Sequence, residues 1–205
     1  NVRGLLDPKF DNYRAKILKS LKELGYRGEW RLLNASDYGV SQSRQRAILV
    51  ALKRDIFHRF HWPVPDKNPP VTVGELLYWE IAKLGWTKAS EWKEKAHKIA
   101  PTIVGGSKKH GGPDLGPTRA RKSWAELGVD GLGIANSPPV NGFEGMPRLT
   151  TKMVALIQGF PETWAFTGSK TAVYRQVGNA FPPPVAKSLG LALKKALTGD
   201  LPGDI

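Results

Sequence analysis

Three consecutive prolines, Pro182–Pro184, constrain the fold more than any other feature of the sequence. Proline fixes φ and has no N–H to donate, so this segment can neither continue a helix nor lie inside a sheet. Pro184 suits the first turn of a helix, and the apolar stretch after it predicts a helix to Leu197. Just before the prolines, Gly178 allows a close backbone approach or a positive φ, and the Asn179 amide both donates and accepts hydrogen bonds. This order predicts a rigid, ligand-facing turn that precedes the last helix.

The chain is strongly basic. It has 31 lysines and arginines against 18 acidic residues, a net charge of +13 and a pI of about 10.0. A domain with this charge usually binds a polyanion, and nucleic acid is the first candidate; a basic face that meets an acidic protein is the alternative. The 205 residues, 40% of them hydrophobic, suffice for one large domain or two small ones with a core.

Several classes of site and location are excluded or disfavoured by composition. The chain has no cysteine, which excludes disulfides, thiolate metal sites and a cysteine nucleophile within it and agrees with a cytoplasmic location. His58 and His61 have no acidic cluster beside them, so no metal site is predicted. No apolar run approaches the length of a membrane helix, and the N-terminal stretch does not read as a signal peptide.

Hydrophobic periodicity and breaker residues give a coarse division of the chain. Helices are predicted over residues 14–24, 73–84, 92–99, 150–157 and 184–197. Short apolar runs predict strands over residues 30–34 and 47–52. Proline-rich runs after residue 61 predict a domain boundary.

Two polar segments carry candidate binding residues. Gln42, Arg44 and Arg46 alternate, which places all three side chains on one side of an extended segment, where fixed guanidinium groups suit phosphate or base acceptors. A solvated hairpin loop is the alternative. A Gly-rich tract from Gly105 onward lacks the P-loop pattern but concentrates cations among glycines, which favours nucleic-acid contact over a flexible linker. The cations are Lys108, Lys109, Arg119, Arg121 and Lys122.

Taken together, these segments resemble the motifs of DNA cytosine-5 methyltransferases. Residues 42–46, Gln-Ser-Arg-Gln-Arg, resemble the family's Q-x-R-x-R motif. Arg148-Leu149-Thr150 with residues 158–161, Gln-Gly-Phe-Pro, resemble the motif that follows its variable region. Residues 176–180, Gln-Val-Gly-Asn-Ala, with the prolines after them, resemble the last family motif, and Asn1-Val2 resembles the end of a Glu-Asn-Val motif.

The resemblance implies a role for each matching position. Arg46 would contact the O2 atom of a target cytosine flipped out of the helix, with Arg44 beside it. Asn179 and Gly178 would line the pocket for S-adenosylmethionine. Gln42 and Arg148 would brace the joint between two domains. The variable insert would read duplex DNA in the major groove, where the base edges carry a full donor and acceptor code.

The resemblance also implies what this chain leaves to another segment. The family's cysteine nucleophile, its Gly-rich cofactor motif and its catalytic glutamate have no counterpart here. We therefore expect the C-terminal half of a methyltransferase, joined to its N-terminal half as one protein or as two subunits. The fold that the resemblance implies is α/β: a partial Rossmann-like methyltransferase domain completed by the C-terminal helix, with a smaller, irregular target recognition domain inserted. It implies the catalytic domain over 1–60, the target recognition domain over 61–147, a hinge over 148–170, and a return to the catalytic domain over 171–205. A bacterial, nucleoid-associated member of a restriction–modification system is the expected setting.

Two other functions fit the same sequence. A non-catalytic DNA-binding specificity subunit would keep the basic recognition part without the chemistry, although such a protein has no use for a cofactor-facing asparagine. A tRNA cytosine-5 methyltransferase fragment is the other, since one branch of the family acts on tRNA. The long variable insert favours duplex DNA.

Overall fold

The computed structural model of the chain describes residues 1–105 and 113–199. The helices are α1 (Asp11–Glu23), α2 (Arg54–Phe57), α3 (Val73–Ala82), α4 (Ala89–Lys95), α5 (Thr118–Glu126), α6 (Thr151–Ile157), α7 (Lys170–Asn179) and α8 (Pro183–Thr198). The strands are β1 (Tyr26–Asn34) and β2 (Gln45–Lys53), and short 3-10 helices span Arg3–Leu6, Pro8–Phe10 and Ala35–Tyr38. The chain forms two compact units: the first contains residues 1–34, 45–66 and 185–205, and the second contains residues 35–44 and 67–184.

The first unit is built on an antiparallel pair of strands. β1 pairs with β2 in a register that places Leu33 opposite Arg46. On the other side of β2, the Ala47 N–H donates to the carbonyl oxygen of Asn1 at 2.9 Å. α1 packs over Gly28, where an added Cβ would lie 3.1 Å from the Leu18 side chain. The absence of a side chain at Gly28 therefore lets the helix approach the sheet closely.

The second unit contains a hydrophobic core formed by α3, α4, α5, α6 and α7 together with the loops between them. Leu77, Leu149 and Val177 are completely buried there, as is the large side chain of Trp124. α3 begins with a reciprocal cap in which the Thr72 hydroxyl accepts from the Glu75 N–H and the Glu75 carboxylate accepts from the Thr72 N–H. These caps and apolar faces explain why short helices are stable in this unit.

A glycine ends α6 and brings two distant segments together. Gly159 has φ of 86°, a left-handed conformation that stops the helix. A Cβ at this position would lie 2.8 Å from Cδ of Pro184, so no larger residue fits without a shift. The stop predicted from residues 158–161 is confirmed, and Gly159 also packs directly on the proline run.

The prediction of a turn at Gly178 and Asn179 is wrong, because α7 continues through Asn179. Gly178 is helical and does not have a positive φ. The predicted helix over residues 92–99 is also wrong in its bounds, since α4 ends at Lys95. The physical reason is that the carbonyls of Ala96 and Lys98 accept hydrogen bonds from the first N–H groups of α3.

Sequence and contacts divide the chain at different positions. The contact-based boundary after residue 66 lies close to the boundary expected from the proline-rich runs. The second unit, however, continues to residue 184 and includes the link 35–44, whereas the resemblance implies a hinge over 148–170 and a return from 171. The second unit is the larger of the two in this chain, and a target recognition domain inserted into a methyltransferase domain stays a prediction.

Within residues 1–105 and 113–199, none of the helices combines the length and apolar character that crossing a bilayer requires. The same described part of the chain contains no group of three or more histidine, cysteine, aspartate or glutamate side chains that could hold a metal ion.

Candidate functional site

Arg46 lies on β2 in the first unit, where backbone pairing on both edges fixes its position. Leu33 pairs with it on one side and Val2 forms a bridge on the other. The guanidinium group is half-buried, and its Nη1 atom donates to the carbonyl oxygen of Gln45 at 2.8 Å. Burial lowers the pKa of Arg46 from its ordinary value, which is so high that the group stays charged at neutral pH. Arg46 therefore provides a positive charge on a backbone that is held in place by the sheet.

Gln42 belongs to the second unit and is completely buried. Its amide nitrogen donates to Oε1 of Gln158 at 2.6 Å, and its amide oxygen accepts from the Ile103 N–H at 2.9 Å. Gln158, also completely buried, donates in turn to the carbonyl oxygen of Ala180 at 2.9 Å. Two glutamines thus join four segments of the chain, around residues 42, 103, 158 and 180.

Arg44 is buried beside these glutamines, with 2% of its surface exposed. Its Nη1 atom donates to the carbonyl oxygen of Ile103 at 2.6 Å. Its Nη2 atom donates to the carbonyl oxygens of Gly178 at 2.7 Å and Ala180 at 3.2 Å. The guanidinium group therefore fastens the segment around Ile103 to the C-terminal end of α7. The charged group of Arg44 therefore holds main-chain segments together and is not exposed to solvent.

Gly178 is required by packing within the protein. A Cβ at this position would lie 2.5 Å from Cα of Gly105 and 2.9 Å from the carbonyl carbon of Val104. The close approach predicted from sequence is present, but its partner is the backbone of residues 104 and 105. Only glycine allows α7 to approach this backbone so closely.

Asn179 is exposed at the C-terminal end of α7, next to Gly105. A Cβ on Gly105 would overlap the Asn179 amide, so the glycine leaves the space that this side chain occupies. Its amide offers both a donor and an acceptor, and a contact with a cofactor stays a prediction. Gly178, by contrast, is buried against protein backbone.

Arg148 contacts a residue of its own unit. Its Nε atom donates to Oδ2 of Asp130 at 2.7 Å, and the Asp130 Oδ1 atom accepts from the Leu132 N–H at 2.9 Å. Partial burial opposes ionisation of Asp130, but these two hydrogen bonds outweigh it and lower the pKa of the carboxyl group. Arg148 therefore supports the loop around Asp130, and a brace between two domains stays a prediction.

The predicted nucleic-acid contacts fall on two parts of the chain. Lys108 and Lys109 lie outside the described residues. The other three lie on α5, a helix that the Gly-rich composition did not suggest. Arg119 and Lys122 are exposed and one helical turn apart, while Arg121 is partly buried and donates to the Thr118 hydroxyl at 3.3 Å. α5 thus presents two cations together to solvent.

Two residues that join these segments were not predicted from sequence as functional. Gln158 was identified as part of a helix end and of a segment that resembles a family motif, but it was given no role, although a buried glutamine after an apolar helix needs polar partners. Tyr174 is 1% exposed, and its hydroxyl donates to the carbonyl oxygen of Asp114 at 2.6 Å. Nothing in the local sequence of Tyr174 indicates this partner, because it lies 60 positions away.

Comparison with known proteins gives consistent matches along almost the whole chain. A family model described as C-5 cytosine-specific DNA methylase matches residues 1–195. The type II methyltransferase M.NaeI of Lentzea aerocolonigenes is 55% identical over 200 residues, which cover 96% of this chain and 48% of that protein. M.NgoMIV of Neisseria gonorrhoeae is 50% identical over 200 residues, which cover 96% of this chain and 63% of that protein. The chain therefore spans about half to less than two thirds of these relatives.

Solved structures agree in fold. A DNA modification methyltransferase encoded within an E. coli prophage superposes with a TM-score of 0.57 and 19% identity, over 97% of this chain and 68% of that one. The Dnmt2 methyltransferase of S. pombe superposes with a TM-score of 0.55 and 16% identity, over 98% of this chain and 66% of that one. These similarities establish an α/β methyltransferase fold, and the family model covers nearly every residue. The chain belongs to the C-5 cytosine-specific DNA methylase family.

Proposed function

We propose that this chain is the C-terminal half of a DNA cytosine-5 methyltransferase of a restriction–modification system. The enzyme transfers a methyl group from S-adenosylmethionine to C5 of a cytosine flipped out of duplex DNA. This half supplies target recognition and part of the base and cofactor pockets. Its relatives M.NaeI and M.NgoMIV, both type II methyltransferases, support this assignment.

The observation that carries the proposal is the hydrogen bonding among the motif segments. Gln42 is bonded to Gln158, and Arg44 is bonded to Gly178. These residues come from the three segments that resemble family motifs. The two partners of each bond are more than a hundred positions apart in sequence. A protein that only bound DNA through its basic surface would not need this buried polar network, whose groups cost free energy unless every partner is in place.

Within this proposal the two arginines have different roles. Arg46, half-buried and fixed on β2, is the residue assigned to the cytosine O2 atom. Arg44 is assigned a positioning role in place of the base contact expected from sequence, because its guanidinium group is buried among main-chain carbonyls. The charge on Arg46 would stabilise negative charge that develops on the pyrimidine during attack at its ring.

Asn179 is the residue assigned to the cofactor, and Gly178 supports it by allowing the close packing of α7. S-adenosylmethionine supplies an electrophilic methyl group on a sulfonium centre when it is bound. The exposed amide of Asn179 would hold one of its polar groups, and the neighbouring backbone of Gly105 limits where that amide can lie.

The nucleophile and the general acid are assigned to an N-terminal half, because this chain has no cysteine. Exposed apolar side chains on the first unit are consistent with a surface that this half covers. Among the described residues of that unit they include Val2, Tyr13, Leu24, Val64, Leu191 and Leu197.

A methyl-transfer assay with labelled S-adenosylmethionine tests the proposal. This chain alone should transfer no methyl groups, and addition of the N-terminal half should restore transfer to C5 of cytosine, identified as 5-methylcytosine by mass spectrometry. Methyl transfer by this chain alone would contradict the assignment. Competition between duplex DNA and tRNA at one fixed salt concentration separates the DNA enzyme from a tRNA enzyme, since phosphate contacts make both affinities salt-dependent.

A further inference from the structure

Tyr174 connects α7 to the segment that leads into the basic helix α5. Its hydroxyl donates to the carbonyl oxygen of Asp114 at 2.6 Å, while its ring lies in the core of the second unit. Burial, and to a lesser extent the nearby Asp114 carboxylate, raises the pKa of Tyr174 well above its ordinary value, so the hydroxyl keeps its proton and remains a donor. This bond satisfies the only polar group of an otherwise apolar, buried side chain.

The segment after Asp114 is itself tightly built. The Gly116 N–H donates to Oδ1 of Asp114 at 2.9 Å, and Gly116 has φ of 107°. A Cβ on Gly116 would lie 3.1 Å from the side chain of Val104. The turn therefore has little freedom once Asp114 is fixed, and α5 begins two residues later at Thr118.

The other end of α7 is fixed by different contacts. Gly178 packs on the backbone of residues 104 and 105, and Arg44 fastens Gly178 to Ile103. Asn179 follows directly. Tyr174 and Asn179 are five residues apart on one helix, which corresponds to a rise of about 8 Å along its axis. A helical segment this short does not bend appreciably. Movement of the turn before α5 is thus transmitted to the position of Asn179.

We propose that Tyr174 is a positioning residue, whose hydroxyl couples contact of α5 with DNA to the placement of Asn179 for the cofactor. This inference rests on the proposed function, since it gives α5 a DNA partner and Asn179 a cofactor. The coupling is reciprocal: duplex DNA tightens cofactor binding by the same factor by which cofactor tightens DNA binding.

Tyr174→Phe removes the hydroxyl and keeps the ring, so it tests the inference in the complete methyltransferase. The affinity for S-adenosylhomocysteine, an unreactive probe, is measured by calorimetry with and without a short duplex that the wild-type enzyme methylates. The ratio of the two affinities is the coupling factor. We expect Tyr174→Phe to lower this factor by about fivefold, the equivalent of one net hydrogen bond. The affinity for S-adenosylhomocysteine without DNA and the affinity for the duplex without S-adenosylhomocysteine should change little.

Tyr78→Phe is the matched control. The Tyr78 hydroxyl lies 3.3 Å from the Ser90 hydroxyl in the same unit. This exposed contact joins α3 to α4 and involves neither Asp114 nor α7, so its loss should leave the coupling factor unchanged. An unchanged factor in Tyr174→Phe, or an equal fall in both variants, would overturn the inference. Wild-type enzyme that transfers no methyl group to DNA would instead overturn the proposed function.

Hydrogen exchange on the wild-type enzyme gives a second test that does not depend on a folded variant. Binding of S-adenosylhomocysteine should slow exchange of the amides from residue 113 to residue 126. Binding of duplex should slow exchange of the amides from residue 174 to residue 180. Protection that stays confined to the segment contacting each ligand would contradict the coupling.

Discussion

The Nη2 atom of Arg44 lies 2.7 Å from the carbonyl oxygen of Gly178, although 134 positions separate the two residues in the chain. The same guanidinium group also donates to Ile103, so one side chain joins the link between the strands to α7 and to the segment before the basic tract. The contact explains how motifs that are widely spaced in sequence act as one structural element.

Replacing Arg44 should destabilise the second unit. Arg44→Met removes the donor from the carbonyls of Ile103 and Gly178 and leaves the Ala180 carbonyl with Gln158 alone. We expect a loss of about 3 kcal/mol in the free energy of unfolding. Urea denaturation followed by tryptophan fluorescence measures this loss. Arg54→Met is the control, because Arg54 also donates to a carbonyl but is exposed. Comparable losses in the two variants would refute a special role for Arg44.

Replacing Gly178 should disturb the packing of α7. A Cβ at Gly178 would lie 2.5 Å from Cα of Gly105, which is backbone and cannot rotate away. We expect Gly178→Ala to lower the free energy of unfolding by about 1–3 kcal/mol. Gly190→Ala is the matched helical control: nothing lies within 4 Å of its Cβ position, so the change should stabilise α8 by up to about 1 kcal/mol. Thermal melts that rank the two variants in the opposite order would contradict this packing.

Replacing Arg46 separates catalysis from DNA affinity. If Arg46 stabilises charge on the target cytosine, Arg46→Ala should lower kcat by on the order of a hundredfold while duplex affinity changes little. The test uses single-turnover methyl transfer and an equilibrium DNA-binding assay on the same preparations. Arg31→Ala, which removes an exposed arginine from β1, should leave kcat near the wild-type value. A loss of affinity that fully accounts for the loss of activity would contradict the assigned role.

Replacing the cations of α5 tests the DNA contact. Arg119→Gln and Lys122→Gln should each reduce the slope of log affinity against log salt by about 0.9, the value expected for one phosphate contact. The slope is obtained from binding titrations at several salt concentrations. Lys16→Gln on α1, also an exposed cation, serves as a comparison and should leave the slope unchanged. Equal effects of all three changes would indicate only a general charge effect.

The pair of Asp130 and Arg148 predicts a dependence of stability on acid pH. Since the folded-state pKa of Asp130 lies below its usual value, its contribution is present above the unfolded pKa of about 4 and disappears as pH falls through the folded pKa. Asp130→Asn should therefore melt at a lower temperature than wild type at pH 7. The difference should shrink steadily below about pH 4. A difference in melting temperature that is constant across this range would exclude the ionised carboxylate as its source.

The helices that sequence predicted well are those with a regular apolar stripe and clear end signals. α6 spans Thr151–Ile157, between the Thr150 cap and the stop at Gly159, and the predicted bounds of 150–157 differ by one residue. α3 and α8 agree nearly as well. Local physical chemistry decides these elements, because capping groups and periodicity lie within the segment itself.

The remaining features depend on contacts that local sequence does not contain. The glycine of Gly178 suggested a turn, but it is needed inside α7 because the backbone of Gly105 lies against it. The resemblance implies that Arg44 lies beside the target base, but its side chain is buried and donates to main-chain carbonyls. In both cases the residue type indicated that the position is constrained. The partner lies many positions away, so the local sequence could not identify it.

The two units are interleaved along the polypeptide, which has a practical consequence for anyone who wants to separate them. Residues 35–44, inserted between β1 and β2, belong to the unit that otherwise comprises 67–184. A fragment of residues 67–184 would lack Gln42 and Arg44. It would therefore lack the buried hydrogen bonds that these two side chains make within the unit. Transplanting this unit into a relative would therefore require the exchange of two separate stretches of the gene.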